Sequence, residues 1–184
     1  MENHIRLFVA VTLPAALHTY LSQQVHQYQH SSIRFVPEQN LHLTLYFIGN
    51  VPQEQLPAIS QAIKEVAMQH QPFTLVLEQL EPGPKLRSPR LVWARFRQSQ
   101  PYEQLSQELT RVLAPEPPKE QKAIPHVTVA RFRKDKPAPK NLPVIVPDQE
   151  MQLPVDSISL WRSELKSPHP VYSILETFPL QHNP

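Results

Sequence analysis

His42 and Thr44 stand two residues apart in "LHLTLYFIG" (41–49), and the same order returns in "HVTVARF" (126–132) as His126 and Thr128. Each copy runs His, apolar, Thr, apolar. Successive side chains of a strand point to opposite faces, so Leu43, Leu45, Val127 and Val129 turn one way and both His–Thr pairs turn the other. An imidazole titrates close to neutral pH and serves as either general acid or general base. Two of them allow one to take a proton while the other gives one. A hydroxyl on the same face can donate to an oxygen on which negative charge grows. Alternation alone accounts for a single His-x-Thr-x, and threonine favours strands in any case. Two copies, each behind a short extended lead-in ("FVPEQN" and "AIP"), point instead to a paired site.

Composition narrows the chemistry. The chain has 184 residues and no cysteine, which excludes a disulfide framework, a Cys-based zinc site and a thiol nucleophile, and fits the cytoplasm. Its two glycines, Gly49 and Gly83, cannot build a phosphate-cradling loop, so P-loop and dinucleotide fingerprints are absent. A formal charge of +2 allows an anionic ligand but falls short of the bias expected of a broad nucleic-acid surface. The opening "MENHIRLFVAVTLPAAL" reads as no signal peptide: Glu2 sits in its charged region, Pro14 breaks its apolar run and no A-x-A site follows. No stretch approaches the roughly 20 apolar residues of a membrane span.

The 22 prolines divide the chain into short extended pieces. Strands are expected at 5–13, 32–37, 40–49, 72–80, 90–96, 126–132, 155–163 and 171–180, with a shorter one at 144–146. Helices are expected after Pro14, over 53–69 with Pro57 in the first turn, and over 102–113. The segments 114–125 and "KDKPAPKNLP" (134–143) read as loops. Three helices among many strands, without strict βαβ alternation, predict an α+β fold with no linker between independent domains. His26 and His30 are spaced i, i+4 on the first helix, but no third ligand lies near, so they read as surface histidines and no metal site is expected.

The order of these blocks resembles the 2H phosphoesterase superfamily, and within it the LigT-type RNA 2′,3′-cyclic phosphodiesterases, also called 2′-5′ RNA ligases. "RLFVAVTLP" (6–14) is similar to that family's opening strand and "VPEQNLHLTLYFIGNV" (36–51) to its first motif block. "SPRLVWARF" (88–96) resembles its central strand, "PHVTVARF" (125–132) its second motif block, and "LWRSELKSPHPVYSILETFPL" (160–180) its closing hairpin. The resemblance implies one domain over 1–184 with two pseudo-symmetric lobes. Each would be an antiparallel sheet with flanking helices, and the motifs would face each other across a central cleft. It implies hydrolysis of an RNA or oligonucleotide 2′,3′-cyclic phosphate to a 2′-phosphate, with reversible 2′-5′ ligation, by a cytoplasmic monomer that needs no cofactor and no membrane. In family practice His42 is the acid and His126 the base, although the residues themselves leave that order open. Thr44 and Thr128 would hold the non-bridging oxygens. A small cyclic-phosphate metabolite as substrate, or a non-catalytic RNA-binding module, stands as the alternative.

Further residues attach to this site on weaker signals. The family often places a phosphate contact where Arg131 stands. Strict alternation puts Arg131 on the face opposite His126, so the strand must end or bulge near Ala130. Tyr46 shares the parity of His42 and is expected to line the cleft or stack on a base; Phe47 shares that of Leu43 and is expected in the core. Tyr172 matches a family tyrosine near the cleft, but "SPHPVY" replaces the glycine that usually precedes it. Trp93 and Trp161 read as core. Two basic groups could steer a polyanion: Lys85, Arg87, Arg90, Arg95 and Arg97, and Arg133, Lys134, Lys136 and Lys140.

Overall fold

Apolar side chains recurring at every second residue, cut by proline and polar turns, form strands; the same residues at helical spacing form helices. The computed structural model describes residues 3–116, 118 and 122–181, so Glu2 and part of the 114–125 loop lie outside the described residues. The strands are β1 (His4–Val11), β2 (Ile33–Phe35), β3 (Leu43–Pro52), β4 (Phe73–Gly83), β5 (Leu91–Phe96), β6 (His126–Phe132), β7 (Gln152–Val155), β8 (Ser157–Glu164) and β9 (Val171–Pro179). The helices are α1 (Ala15–Gln24), α2 (Leu56–Ala67) and α3 (Gln100–Leu113). Pro14 caps α1, and Pro57 and Pro101 occupy the first turns of α2 and α3, where a missing N–H costs nothing. The expected strand at 155–163 divides into β7 and β8 around Asp156. At 144–146 only an isolated bridge forms, Ile145 with Leu80.

The strands make one curled antiparallel sheet in the order β7-β4-β5-β6-β3-β1-β8-β9, with β2 attached to β6 beside β3. Its two halves meet at a single register pair, Leu43 with Val127, and each half contributes one His–Thr strand to that seam. The α+β architecture holds, with the expected lobes realised as halves of a continuous sheet. One face carries the main core, where Leu7, Val9, Leu43 and Val127 pack with Leu17 and Leu21 of α1, Ile63 of α2 and Leu105 and Leu109 of α3. The opposite face carries a small second cluster of Phe8, Ala10 and Trp161, with Tyr172 against it.

Along the two motif strands alternation breaks at three points, and these breaks decide which of their side chains reach the site. Against β1, Thr44 pairs with Ala10, Tyr46 with Val9, Phe47 with Phe8 and Gly49 with Leu7, so Leu45 and Ile48 are extra residues. Against β5, Thr128 pairs with Trp93 and Ala130 with Val92, so Val129 is extra. Each motif strand therefore bulges one residue after its threonine. A bulge reverses the parity of everything beyond it. Gly49, beside the break at Ile48, has φ of 90°, and a Cβ there would meet nothing closer than Phe47 Cε1 at 3.8 Å. The cost of a side chain at this position is thus backbone strain alone. Gly49→Ala is expected to destabilise the fold by about 1–2 kcal/mol, read as a lower denaturation midpoint with unchanged slope.

Candidate active site

The two histidines are held in the same way. The His42 Nδ1–H donates to the carbonyl of Asn40 at 2.7 Å, and the His126 Nδ1–H donates to the carbonyl of Ile124 at 2.7 Å. In each case the acceptor lies two residues upstream. A carbonyl can only accept, so both rings carry the proton on Nδ1 when neutral and leave Nε2 as the working nitrogen. Nε2 of His42 lies 3.0 Å from Thr44 Oγ1. The antiparallel pair Leu43–Val127 sets His42 toward Thr128 and Thr44 toward His126, which puts the imidazoles on a diagonal. Diagonal neighbours of this kind lie roughly 7–8 Å apart, enough for one tetrahedral anion between the ring edges.

Aromatic walls fix both rings. Phe8, Tyr172 and Trp161 lie 4.9, 5.4 and 5.7 Å from the His42 ring, and Trp93 lies 4.9 Å from the His126 ring. Trp93 and Trp161 are buried as expected but stand outside the main core, on the cleft side. Gly83 lies under the Trp93 indole, where a Cβ would come within 2.7 Å of Nε1. Asn40 is buried, and its side-chain amide donates to the carbonyl of Pro170, tying the turn before Tyr172 to the His42 lead-in. Burial is the main cause that lowers both imidazoles from their ordinary value of 6.5. The carbonyl bonds oppose it, the Arg131 charge reinforces it in both, and the His126 charge adds to it at His42.

The cleft around these groups has a volume of about 520 Å³ and is lined by His42, Thr44, His126 and Thr128. Five cations also line it (Arg6, Arg34, Arg131, Arg133 and Lys134) against one carboxylate, Asp135, among the described residues. Burial that disfavours the charged imidazoles, beside guanidinium groups that outnumber the one carboxylate, suits a small anion that exchanges protons. Among the described residues no group of three His, Cys, Asp or Glu side chains is placed to hold a metal ion.

A model of the 2′-5′ RNA ligase superfamily matches residues 13–166. The chain belongs to that superfamily. It is 33% identical to the RNA 2′,3′-cyclic phosphodiesterase of Thermus thermophilus, over 96% of this chain and 91% of that one. To the protein of the same name from Methanothermobacter thermautotrophicus it is 28% identical, over 96% and 99%. A Thermus thermophilus crystal structure superposes with a TM-score of 0.82 at 32% identity, covering 96% of this chain and 98% of that one. Escherichia coli LigT in complex with phosphate superposes with 0.76 at 27% identity, over 97% and 99%.

Arg131 reaches the cleft because the required bulge exists: Val129 and Ala130 both face the core, which returns Arg131 to the face of His126 and Thr128. Tyr172 lines the cleft without a preceding glycine. Tyr46 does not line it. The bulge at Leu45 turns Tyr46 onto the core face, paired with Val9, and turns Phe47 out. Phe47, expected in the core, is 49% exposed in the cleft with the Arg6 guanidinium 4.8 Å above its ring. Of the basic groups, Arg95 is bound to Glu78 and Glu81 of β4, and its neighbours in that group do not line the cleft, whereas Arg133 and Lys134 do.

Sequence reasoning missed the groups that hold the first bulge. Tyr102 and Ser106, one turn apart on α3, donate their hydroxyls to the carbonyls of Thr44 at 3.0 Å and Leu45 at 2.9 Å. They are 3% and 8% exposed. The available signal was a serine on the otherwise apolar face of an amphipathic helix. Ser106→Ala leaves the buried Leu45 carbonyl without its donor and is expected to cost about 1–3 kcal/mol in denaturant unfolding. It should also move the His42 ring resonances in NMR spectra while those of His126 stay in place.

Proposed function

We propose that this chain is an RNA 2′,3′-cyclic phosphodiesterase that opens the ring to a 2′-phosphate with its two histidines as acid and base. The observation that carries this reading is the diagonal pair of imidazoles, each anchored through Nδ1, with Nε2 left for an anion between them. Relatives bearing that name span most of this chain. In the forward step Nε2 of His126 takes a proton from water as the water oxygen bonds to phosphorus. The bond from phosphorus to the ribose 3′ oxygen breaks, and the protonated His42 gives its proton to that oxygen. Charge gathering on the non-bridging oxygens meets the hydroxyls of Thr44 and Thr128 and the guanidinium of Arg131. The order of acid and base rests on the family pattern. With a 5′-hydroxyl in place of water the same step, in the same direction, opens the strained ring into a 2′-5′ linkage as the 3′ oxygen takes the proton, and no ATP is needed; the reverse of that step cleaves a 2′-5′ linkage. Tyr172 packs where it can border the bound ribose, and the protein works as a cytoplasmic monomer.

His42→Ala and His126→Ala are each expected to lower kcat on a 2′,3′-cyclic-phosphate oligonucleotide by on the order of 10²-fold or more. The assay is run in EDTA, where the wild type retains its activity. Near-normal turnover in either folded variant overturns the assignment.

The pH dependence follows from the lowered imidazoles. The base works only when neutral, so activity falls as pH drops through its pKa; the acid works only when protonated, so activity falls as pH rises through its own. Because both are lowered, both limbs of the kcat/KM bell are expected on the acid side of 6.5. Arg131→Gln removes a positive charge that disfavours imidazolium, so both imidazoles rise and both limbs move to higher pH. Limbs that stay in place contradict the role given to Arg131.

A further inference from the structure

β2 carries a second arginine to the cleft. Its three residues pair antiparallel with the end of β6, and Arg34 stands directly opposite Arg131. Directly opposed residues have Cβ atoms about 4.5–5.5 Å apart, and like charges in such a pair repel. Neither side chain has an acidic partner among the described residues, although Arg95, Arg111 and Arg162 elsewhere all do. Both line the cleft. Two arginines on directly opposed positions, neither ion-paired to a carboxylate of the described residues, favour an anion bound beside them.

One phosphate does not use both. A cyclic phosphodiester has two non-bridging oxygens, and Thr44, Thr128 and Arg131 already converge on them. Of the two arginines, Arg131 is the one whose charge both imidazoles feel. From His126 to the Arg34–Arg131 pair is about four strand positions once the bulged Val129 is set aside, roughly 13 Å along β6. Arg131 therefore serves the histidines, and Arg34, directly across from it on β2, is left for another anion. The next anion along an RNA chain is the phosphate on the 5′ oxygen of the same terminal nucleotide, one ribose away. A guanidinium fork matches a phosphate in two hydrogen bonds.

We propose that Arg34 binds the 5′ phosphate of the nucleotide whose cyclic phosphate lies between the histidines, so that the cleft reads two phosphates rather than one. This rests on the phosphodiesterase reading above and deepens it, because it makes an RNA end, and not a bare cyclic nucleoside phosphate, the preferred substrate. An internucleotide linkage and a free 5′ phosphate offer the same group at that position.

Three substrates test it: adenosine 2′,3′-cyclic phosphate, its 5′-phosphorylated form, and the ApA dinucleotide ending in a 2′,3′-cyclic phosphate. The wild type is expected to favour the second and third over the first by about tenfold or more in kcat/KM, the usual worth of a charge-assisted pair. In Arg34→Gln that ratio should collapse to within about twofold, and Arg34→Lys should restore part of it. Thermal melting of each variant reports that it is folded. Equal kcat/KM for all three substrates in the wild type overturns the proposal, as does an equal loss on all three in Arg34→Gln. A preference for the dinucleotide alone also overturns it, since the second nucleoside would then be what is read. Failure of the wild type to turn over any of the three is a different result, and it removes the phosphodiesterase reading itself.

Discussion

The pairing of Leu43 with Val127 is the contact on which the site depends. It is the only register pair between β3 and β6, and it falls on the residue between histidine and threonine in both motifs. An antiparallel pair centred there relates the two motifs by a local twofold. Each histidine then faces the other motif's threonine, and the imidazoles fall on the diagonal. Shifting the register by one residue would send one His–Thr pair into the core and its apolar neighbours into the cleft. Leu43 and Val127 are both fully buried against the helices, which holds the register through packing rather than through a long hydrogen-bonded ladder.

Beyond that pair the motif strands need freedom to diverge, and the bulges at Leu45 and Val129 give it. The first is held by side chains of a helix, the second by the neighbouring backbone that continues β2. Tyr102 and Ser106 of α3 donate to the carbonyls of Thr44 and Leu45, and the Val36 N–H donates to the carbonyl of Val129 at 2.9 Å. The two glycines fit the same economy. Gly49 supplies the positive φ at the far end of β3, and Gly83 lets the Trp93 indole lie flat enough to wall His126. In a chain where proline fixes so many positions, glycine is kept for two places that a side chain would distort.

What could be read in the sequence follows from this division. Strands, helices and the two His–Thr faces were legible because alternation and helical spacing are local patterns. The placement of Arg131 was legible as a condition: it required a bulge, and the bulge is there. Tyr46 and Phe47 exchanged roles because the parallel condition applied to the first motif and alternation gives no sign of it. The residues that create that bulge lie on α3, far along the chain. Trp93 and Trp161 have the burial of core residues, yet they stand on the other face, a distinction only sheet topology makes. Arg34 carried no signal at all, since its meaning comes from a partner on β6 that no local window contains.

The local twofold also sets a problem that the asymmetric parts of the cleft resolve. Two equivalent histidines with equivalent threonines would bind a cyclic phosphate in either orientation and give no preference for which ribose oxygen leaves. Direction must come from residues off the axis. Five residues after His126 the bulge delivers a guanidinium, Arg131, with Arg34 opposite; five residues after His42 the matching bulge delivers a phenyl ring, Phe47, with Arg6 over it. The rings also differ in their surroundings, since three aromatic side chains enclose His42 and one flanks His126. One end of the cleft therefore carries two opposed guanidinium groups, and the other pairs an aromatic ring with a single guanidinium. A nucleotide has the same polarity, anionic on its backbone and aromatic at its base, so it can match this cleft in one orientation and not in the reverse. In the reaction proposed above, the two histidines would supply proton transfer in both directions, and the charge distribution around them would select which oxygen receives the proton.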